Sequence, residues 1–269
     1  MIINPYRFAS GGAFDPDAQA FFTASGLTGA TELNAVNQLV LDLKGYGIWT
    51  KMKAIYPMVG GTAALHKWNL KDPQDTNAAF RLVFTGGWTH SSTGALPNGT
   101  NGYANTFLNA NTILQQFSHH HSFYHNTDNI GTALRSWGSV QSSGSSQFRT
   151  TIEGSGTSLT YRDLGTNNTE TGLTASTLKG FRASSRTANN NMFIVKADGT
   201  STTPTTAIAS AALPSLNCYL AAEASNLAPS RYAAMQVAFH SIGDGLTTAE
   251  GLDLRNIVQA YQTTLSRQV

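Results

Sequence analysis

The sequence predicts an all-β protein, an antiparallel sandwich or barrel with helices at its two ends. Three observations carry this. Between residues 56 and 244 the apolar runs are short, about eleven of them, and Gly, Asn, Ser and Thr clusters separate them. The runs are rich in Thr and aromatic residues, which suit a pleated, half-buried surface. Helical periodicity is confined to the ends of the chain.

Residues 1–55 read as a helical segment. Asp15 before Pro16 is a helix start, because a side-chain oxygen caps free amides and Pro suits the first turn. This helix covers Pro16–Ser25 and stops at Gly26. A second runs from about Thr31 to Lys44, with Leu33, Val36, Leu39, Val40 and Leu43 at steps of three and four and Gly45 as its stop. The β zone, 56–244, has candidate strands at Ala54–Met58, Ala79–Thr85, Tyr103–Phe107, Gln115–His125, Ala133–Val140, Gln147–Ile152, Ser158–Asp163, Lys179–Ala183, Asn191–Lys196, Asn217–Ala222 and Arg231–Ile242. Asp198-Gly199 after FIVKA is the sharpest hairpin signal, and Ser143-Gly144 and Gly154–Gly156 are further turns. Residues 245–269 hold a C-terminal helix, Thr248–Arg267. Thr247 and Glu250 form its capping box, and Leu254, Ile257, Val258, Tyr261 and Leu265 form a stripe that docks on the sandwich.

Composition narrows the function. Of 269 residues, 17 are Lys or Arg, 15 are Asp or Glu, and only 12% are charged, about half the usual share of roughly 25%. Thr, Ser and Asn number 33, 24 and 20, so hydroxyls and amides replace charges on the surface. The net charge of +2, with Lys and Arg scattered, excludes an electrostatic nucleic-acid binder. No apolar stretch approaches a bilayer span of roughly 18 residues, so no membrane insertion is expected. MIINPYRF lacks a basic region followed by an apolar core, so no secretory leader is expected. Cys218 is the single cysteine, which excludes an intrachain disulfide.

Three stretches carry a resemblance: LVLDLKGYGIWTKMKAIYPMVGG; Lys67–Leu108, which contains THSSTGALPNGTNGYA; and FHSIGDGLTTAEGLDLRNIVQAYQTTLSRQV, Phe239–Val269. Together they resemble a family of tailed-phage and prophage structural proteins associated with the concanavalin A-like lectin/glucanase jelly-roll. The match is thinnest over 126–235. The resemblance implies a concanavalin A-like jelly-roll sandwich in a virion, assembled in the host cytoplasm as a head-decoration, head-fibre or tail protein. Its partners would be other virion proteins and copies of itself. The 1–55 segment would be the anchor to the particle.

The residues themselves offer four candidate chemistries. Glycan hydrolysis needs two carboxylates across a cleft. The β zone holds Asp72, Asp75, Asp128, Glu153, Asp163, Glu170, Asp198, Glu223 and Asp244, with no two at i, i+2 or i+4 in a predicted strand, so no enzyme is expected. In QFSHHHSFYHNTD, alternation puts Phe117, His119, His121, Phe123 and His125 on one face. His119 and His121 could share a metal with His125 or Asp128. The plainer reading, a partly buried aromatic strand with one wet face, is preferred, and no metal or cofactor is expected. Thr89-His90-Ser91-Ser92 does not form a nucleophile–base pair, because adjacent strand residues face opposite ways. A carbohydrate surface is the best positive idea. Trp88, Trp137 and Tyr103 could stack on sugar rings, while His90, Asn98 and Asn101 reach hydroxyls, and the partner would be host-surface glycans. The plainer reading, with Trp88 and Trp137 in the core and Asn98-Gly99 a simple turn, is preferred residue by residue.

Overall fold

In a computed structural model the described residues are 13–127, 135–140, 146–153, 158–164, 166–173, 178–204, 211–226 and 228–269. Two antiparallel sheets face each other as a jelly-roll sandwich, with N-terminal helices and a C-terminal amphipathic helix, as the sequence predicts.

The first sheet has eight strands. They are β1 (Met52–Tyr56), β3 (Trp88–Ser91), β4 (Gly94–Pro97), β6 (His119–His125), β11 (Gly180–Ala188), β12 (Asn191–Val195), β13 (Ser201–Thr202) and β17 (Val237–Gly243). Their order is β13-β12-β11-β6-β17-β4-β3, with β1 also on β17. The second sheet runs β10-β9-β8-β7-β14-β5-β2, with β15 and β16 beside β7. Its members are β2 (Val83–Thr85), β5 (Tyr103–Asn109), β7 (Arg135–Val140), β8 (Gln147–Glu153), β9 (Ser158–Asp163), β10 (Thr166–Glu170), β14 (Asn217–Leu220), β15 (Glu223–Ser225) and β16 (Ala228–Ser230).

The helices form as their sequences dictate. Asp15 accepts from the Asp17 amide and opens α1 (Pro16–Ser25), which Gly26 closes in the left-handed region at φ 72°. α2 spans Ala30–Gly45 and takes in Gly45, and Tyr46 caps it. The C-terminal helix, Thr248–Thr264, has both halves of the Thr247/Glu250 capping box in place. The Asp198-Gly199 hairpin is also present: the Gly199 amide donates to Lys196 O at 3.1 Å, and Gly199 has φ 84°.

One apolar cluster joins Phe21, Val36, Leu39 and Val40 of α1 and α2 to Leu254 and Val258 of the C-terminal helix and to Tyr124, Phe193 and Phe239 of the first sheet. The described part of the N-terminal segment, residues 13–55, therefore packs as part of the sandwich. The C-terminal helix approaches β12 closely at Gly251, where an added Cβ would lie 3.0 Å from the Phe193 ring and 3.1 Å from Val195. The result is three layers, helices over the first sheet and the second sheet beneath it.

β6 shows how the layers are tied. Alternation is as predicted, but neither face is wet, because all seven residues are buried. His120, Ser122 and Tyr124 point to the helical side: His120 Nδ1 meets Asp244 O at 2.6 Å, and Ser122 meets Ser241 at 2.7 Å. The other face bridges the sheets. His119 Nε2 is 2.9 Å from Asp163 on β9, His121 Nε2 meets the Thr150 hydroxyl on β8, and Phe123 stacks on Trp137 of β7 at 5.4 Å. Arg186 backs Asp163 at 3.6 Å. Among the described residues no helix is long and apolar enough to cross a membrane.

Candidate saccharide-binding face

The helices cover the outer face of the first sheet. The outer face of the second sheet carries the residues of interest. Strand alternation decides which they are. In β8, Phe148 and Thr150 point into the sandwich, so Gln147 and Arg149 point out. In β9, Leu159, Tyr161 and Asp163 point in and Arg162 points out. In β14, Cys218 and Leu220 point in and Tyr219 points out.

Register then lines these up. Asn105 pairs with Tyr219, Tyr219 with Gly138, Gly138 with Arg149, Arg149 with Arg162 and Arg162 with Asn167. One row thus crosses six strands. Glu223 on β15 also pairs with Gly138. Because Gly138 has no side chain, Arg149 and Glu223 meet across it: an Arg149 Nη1–H donates to Glu223 Oε2. Arg231 Nε lies 3.2 Å from Glu223 Oε1, and the Ser230 hydroxyl donates to the same oxygen at 3.3 Å. Arg149 Nε–H donates to Gln147 at 3.2 Å and Arg162 to Asn167 at 3.3 Å. Burial pulls the Arg149 pKa down, Glu223 opposes this, and the charges of Arg231 and Arg162 add to the lowering.

Beside this cationic group stand three half-buried tyrosines. Tyr103 and Tyr219 have ring centroids 4.9 Å apart, and Tyr103 and Tyr232 6.4 Å apart. Burial first, then the Tyr103 and Tyr232 hydroxyls, push the Tyr219 phenol up. Below the face, a cavity of about 10 Å³, one water in size, lies among His121, Trp137, Gly138, Cys218 and His240.

Gly138 is the hinge of this arrangement. Its φ is 118°, and an added Cβ would sit 2.0 Å from the Phe148 carbonyl oxygen. Gly138→Ala is expected to cost about 2 kcal/mol or more through backbone strain. Thermal melting checks this: an unchanged Tm would show that the β7–β8 pairing relaxes freely.

The residues singled out from sequence fall in three places. Tyr103 is on the open face. Trp88, His90, Asn98 and Asn101 gather at the adjoining end of the sandwich, where each is held by internal contacts. Trp88 Nε1–H donates to Thr85 O and Tyr103 O at 3.1 and 3.2 Å, and its ring stacks on His90 at 6.0 Å. His90 Nδ1 is 2.9 Å from His66 Nδ1, and burial lowers the His90 pKa. Asn98 Oδ1 accepts from the amides of Thr100, Asn101 and Gly102, while Asn101 Oδ1 accepts from Gly87 N and Asn98 Nδ2. These two amides build the loop. Trp137 is a correction: it is 1% exposed, packed against both Phe123 and His125, and offers no face to a sugar.

Sequence reasoning missed Tyr219, Tyr232, Arg149, Arg162, Glu223 and Arg231. Alternation shows several of them facing outward, but only long-range pairing brings them together. Of the histidines on the sandwich-facing side of β6, His119 meets Asp163 and His121 meets Thr150, while His125 packs against the Phe123 and Trp137 rings. Asp128, the other candidate ligand, lies outside the described residues. Among the described residues no group of three or more His, Cys, Asp or Glu is arranged to hold a metal.

The fold and this face define a jelly-roll β-sandwich with one face closed by helices and an aromatic–cationic patch on the other. No protein-family model and no curated protein matches the sequence. Among solved structures, the chain is similar to the NanB sialidase from Streptococcus pneumoniae, with 13% identity and a TM-score of 0.39. The similarity covers 62% of this chain and 27% of the sialidase.

Proposed function

We propose that the chain is a structural component of a bacteriophage virion, a head-decoration, head-fibre or tail protein, whose open sheet face binds host-surface glycans. The observation that carries the glycan part is the Tyr103–Tyr219–Tyr232 cluster, with Asn105 paired opposite Tyr219 on that face. Aromatic faces take the C–H side of a pyranose, and amides reach its hydroxyls. The virion part rests on the three sequence stretches and on a surface poor in charge, since the cores of subunit interfaces are depleted in charge.

Binding without hydrolysis fits the described carboxylates. Glu223 is tied to Arg149 and Arg231, Glu170 to Arg182, Asp163 to His119 and Arg186, and Asp75 to Lys67 and Arg81. Hydrolysis would use two carboxylates facing a shared substrate. Two measurements test the proposal. Mass spectrometry of purified particles is expected to find the chain as a stoichiometric component, and its absence refutes the virion role. A glycan array is expected to show binding that Tyr219→Ala removes, and an array with no binding refutes the glycan role.

A further inference from the structure

We infer that the cavity between the sheets is a binding site for a single water molecule, which hydrogen-bonds His121 Nδ1, His240 Nδ1 and Trp137 Nε1 and so ties the two sheets together. The inference concerns the interior and is independent of what the open face binds.

Strand register brings the three side chains to one place. On β6 and β17, Phe123 pairs with His240 and His121 pairs with Ile242, so His121 and His240 are diagonal neighbours. Both face the second sheet, where His121 Nε2 meets the Thr150 hydroxyl of β8. Trp137 enters the same space from β7, with its ring against Phe123. All three line the cavity, and its volume of about 10 Å³ matches one water. Each residue is 5% exposed or less. Each also has a ring nitrogen that meets no partner among the described residues. Native interiors rarely leave such groups unpaired.

The chemistry of the three nitrogens selects the occupant. Burial lowers the pKa of His121 and His240 to about 3, so both rings are neutral at pH 7. A neutral imidazole carries one N–H and one lone pair, whereas the indole nitrogen only donates. The occupant must therefore accept from Trp137, and must donate to or accept from each imidazole. Water does both, whichever tautomers the histidines adopt. A metal ion offers the indole no acceptor, and an apolar molecule satisfies none of the three. Cys218, also on the wall, has its thiol 3.9 Å from the Ser139 hydroxyl.

Two measurements on the full chain test this. Oxygen-17 magnetic relaxation dispersion counts waters held inside a protein. Cys218→Val adds bulk to the cavity wall, and its count is expected to be lower than that of the wild type by one. Taking the difference cancels any water held elsewhere, and circular dichroism should show the variant folded. A folded variant with an unchanged count overturns the inference.

The second measurement needs no cavity variant. In nitrogen-15-labelled wild type, the Trp137 indole N–H, assigned by its loss in Trp137→Phe, should show a cross-peak to water. That peak should have opposite signs in the laboratory and rotating frames, as a resident water gives and proton exchange does not. An observed indole resonance without such a peak shows the cavity to be dry and overturns the inference.

Discussion

Lowering the pH from 7 to 5 is expected to unfold this protein. Six of its seven histidines are 5% exposed or less. Burial, the largest cause in each case, lowers the pKa of His66, His121, His125 and His240 to about 3 and that of His120 to about 4. Neighbouring charges add to this, His90 and Arg267 at His66, His240 at His121, and Arg182 at His125. The Asp244 carbonyl opposes it at His120. In the unfolded chain these rings titrate near 6.5.

Below pH 6.5 the unfolded state therefore binds protons that the folded state refuses. Stability is complete above that value and falls as pH drops toward 3 or 4. By linkage each such histidine removes about 2 kcal/mol at pH 5, and five together remove about 10, comparable to a whole domain's stability of roughly 5–15 kcal/mol. His119 works in the opposite direction. Burial alone would lower it, but the Asp163 carboxylate and the Gln115 carbonyl raise it. Its contribution is complete below 6.5 and lost as pH rises through its folded value, so it opposes the other five.

Tryptophan fluorescence against pH should show cooperative loss of structure near pH 5. His125 is the informative variant, since neither of its ring nitrogens meets a partner among the described residues and it lies against Phe123 and Trp137. His125→Leu should move the midpoint to lower pH. A wild-type protein that stays folded at pH 4 would sink this account.

The same histidines mark where sequence reading stops. Alternation in QFSHHHSFYH sorts the side chains into the correct two faces, because the period of a strand is local. It cannot say that a helical layer covers one face. That depends on the C-terminal helix docking on β11 and β12, and on Ser185 accepting the Leu246 amide at 2.8 Å. Local chemistry elsewhere was readable to the residue. Asp15-Pro16, Gly26, Thr247 with Glu250, and Asp198-Gly199 each specify a cap or turn that the structure contains. The Trp88–Ser91 and Gly94–Pro97 strands are not among the eleven candidates, because four residues are too few for alternation to show. The candidate face was legible only in fragments. Arg149, Arg162, Tyr219 and Glu223 come from four separate strands, and a single sequence does not state strand order.

Replacing Arg267 is expected to be among the most costly single substitutions, although it lies two residues from the C-terminal Val269. After the helix, Ser266 turns through φ 56°, and the Arg267 amide donates to Gln262 O at 3.0 Å, which folds the tail inward. The guanidinium is 5% exposed as a residue. It donates to Met58 O at 2.7 Å, Ser92 O at 3.2 Å, Pro57 O at 2.9 Å, Ala238 O at 2.9 Å and Gln262 Oε1 at 2.6 Å. One side chain thus joins the segment after β1, the β3–β4 turn, β17 and the C-terminal helix.

Arg267→Met keeps much of the length and removes the donors. Pro57 O still has the Tyr261 hydroxyl at 2.8 Å, and Ala238 O still has Gln262 Nε2 at 3.2 Å. Met58 O and Ser92 O lose the Arg267 bond, and a buried carbonyl left without a partner costs about 1–3 kcal/mol. Removing a desolvated charge returns part of this. The balance is expected near 3 kcal/mol, a fall of roughly 5 °C in Tm for a chain of this size. Arg267→Lys should fall between, because one ammonium cannot span the same set of carbonyls. Calorimetry on the two variants decides it: if Arg267→Met melts with the wild type, the carbonyls find other donors and the tail is not the clasp that the geometry describes.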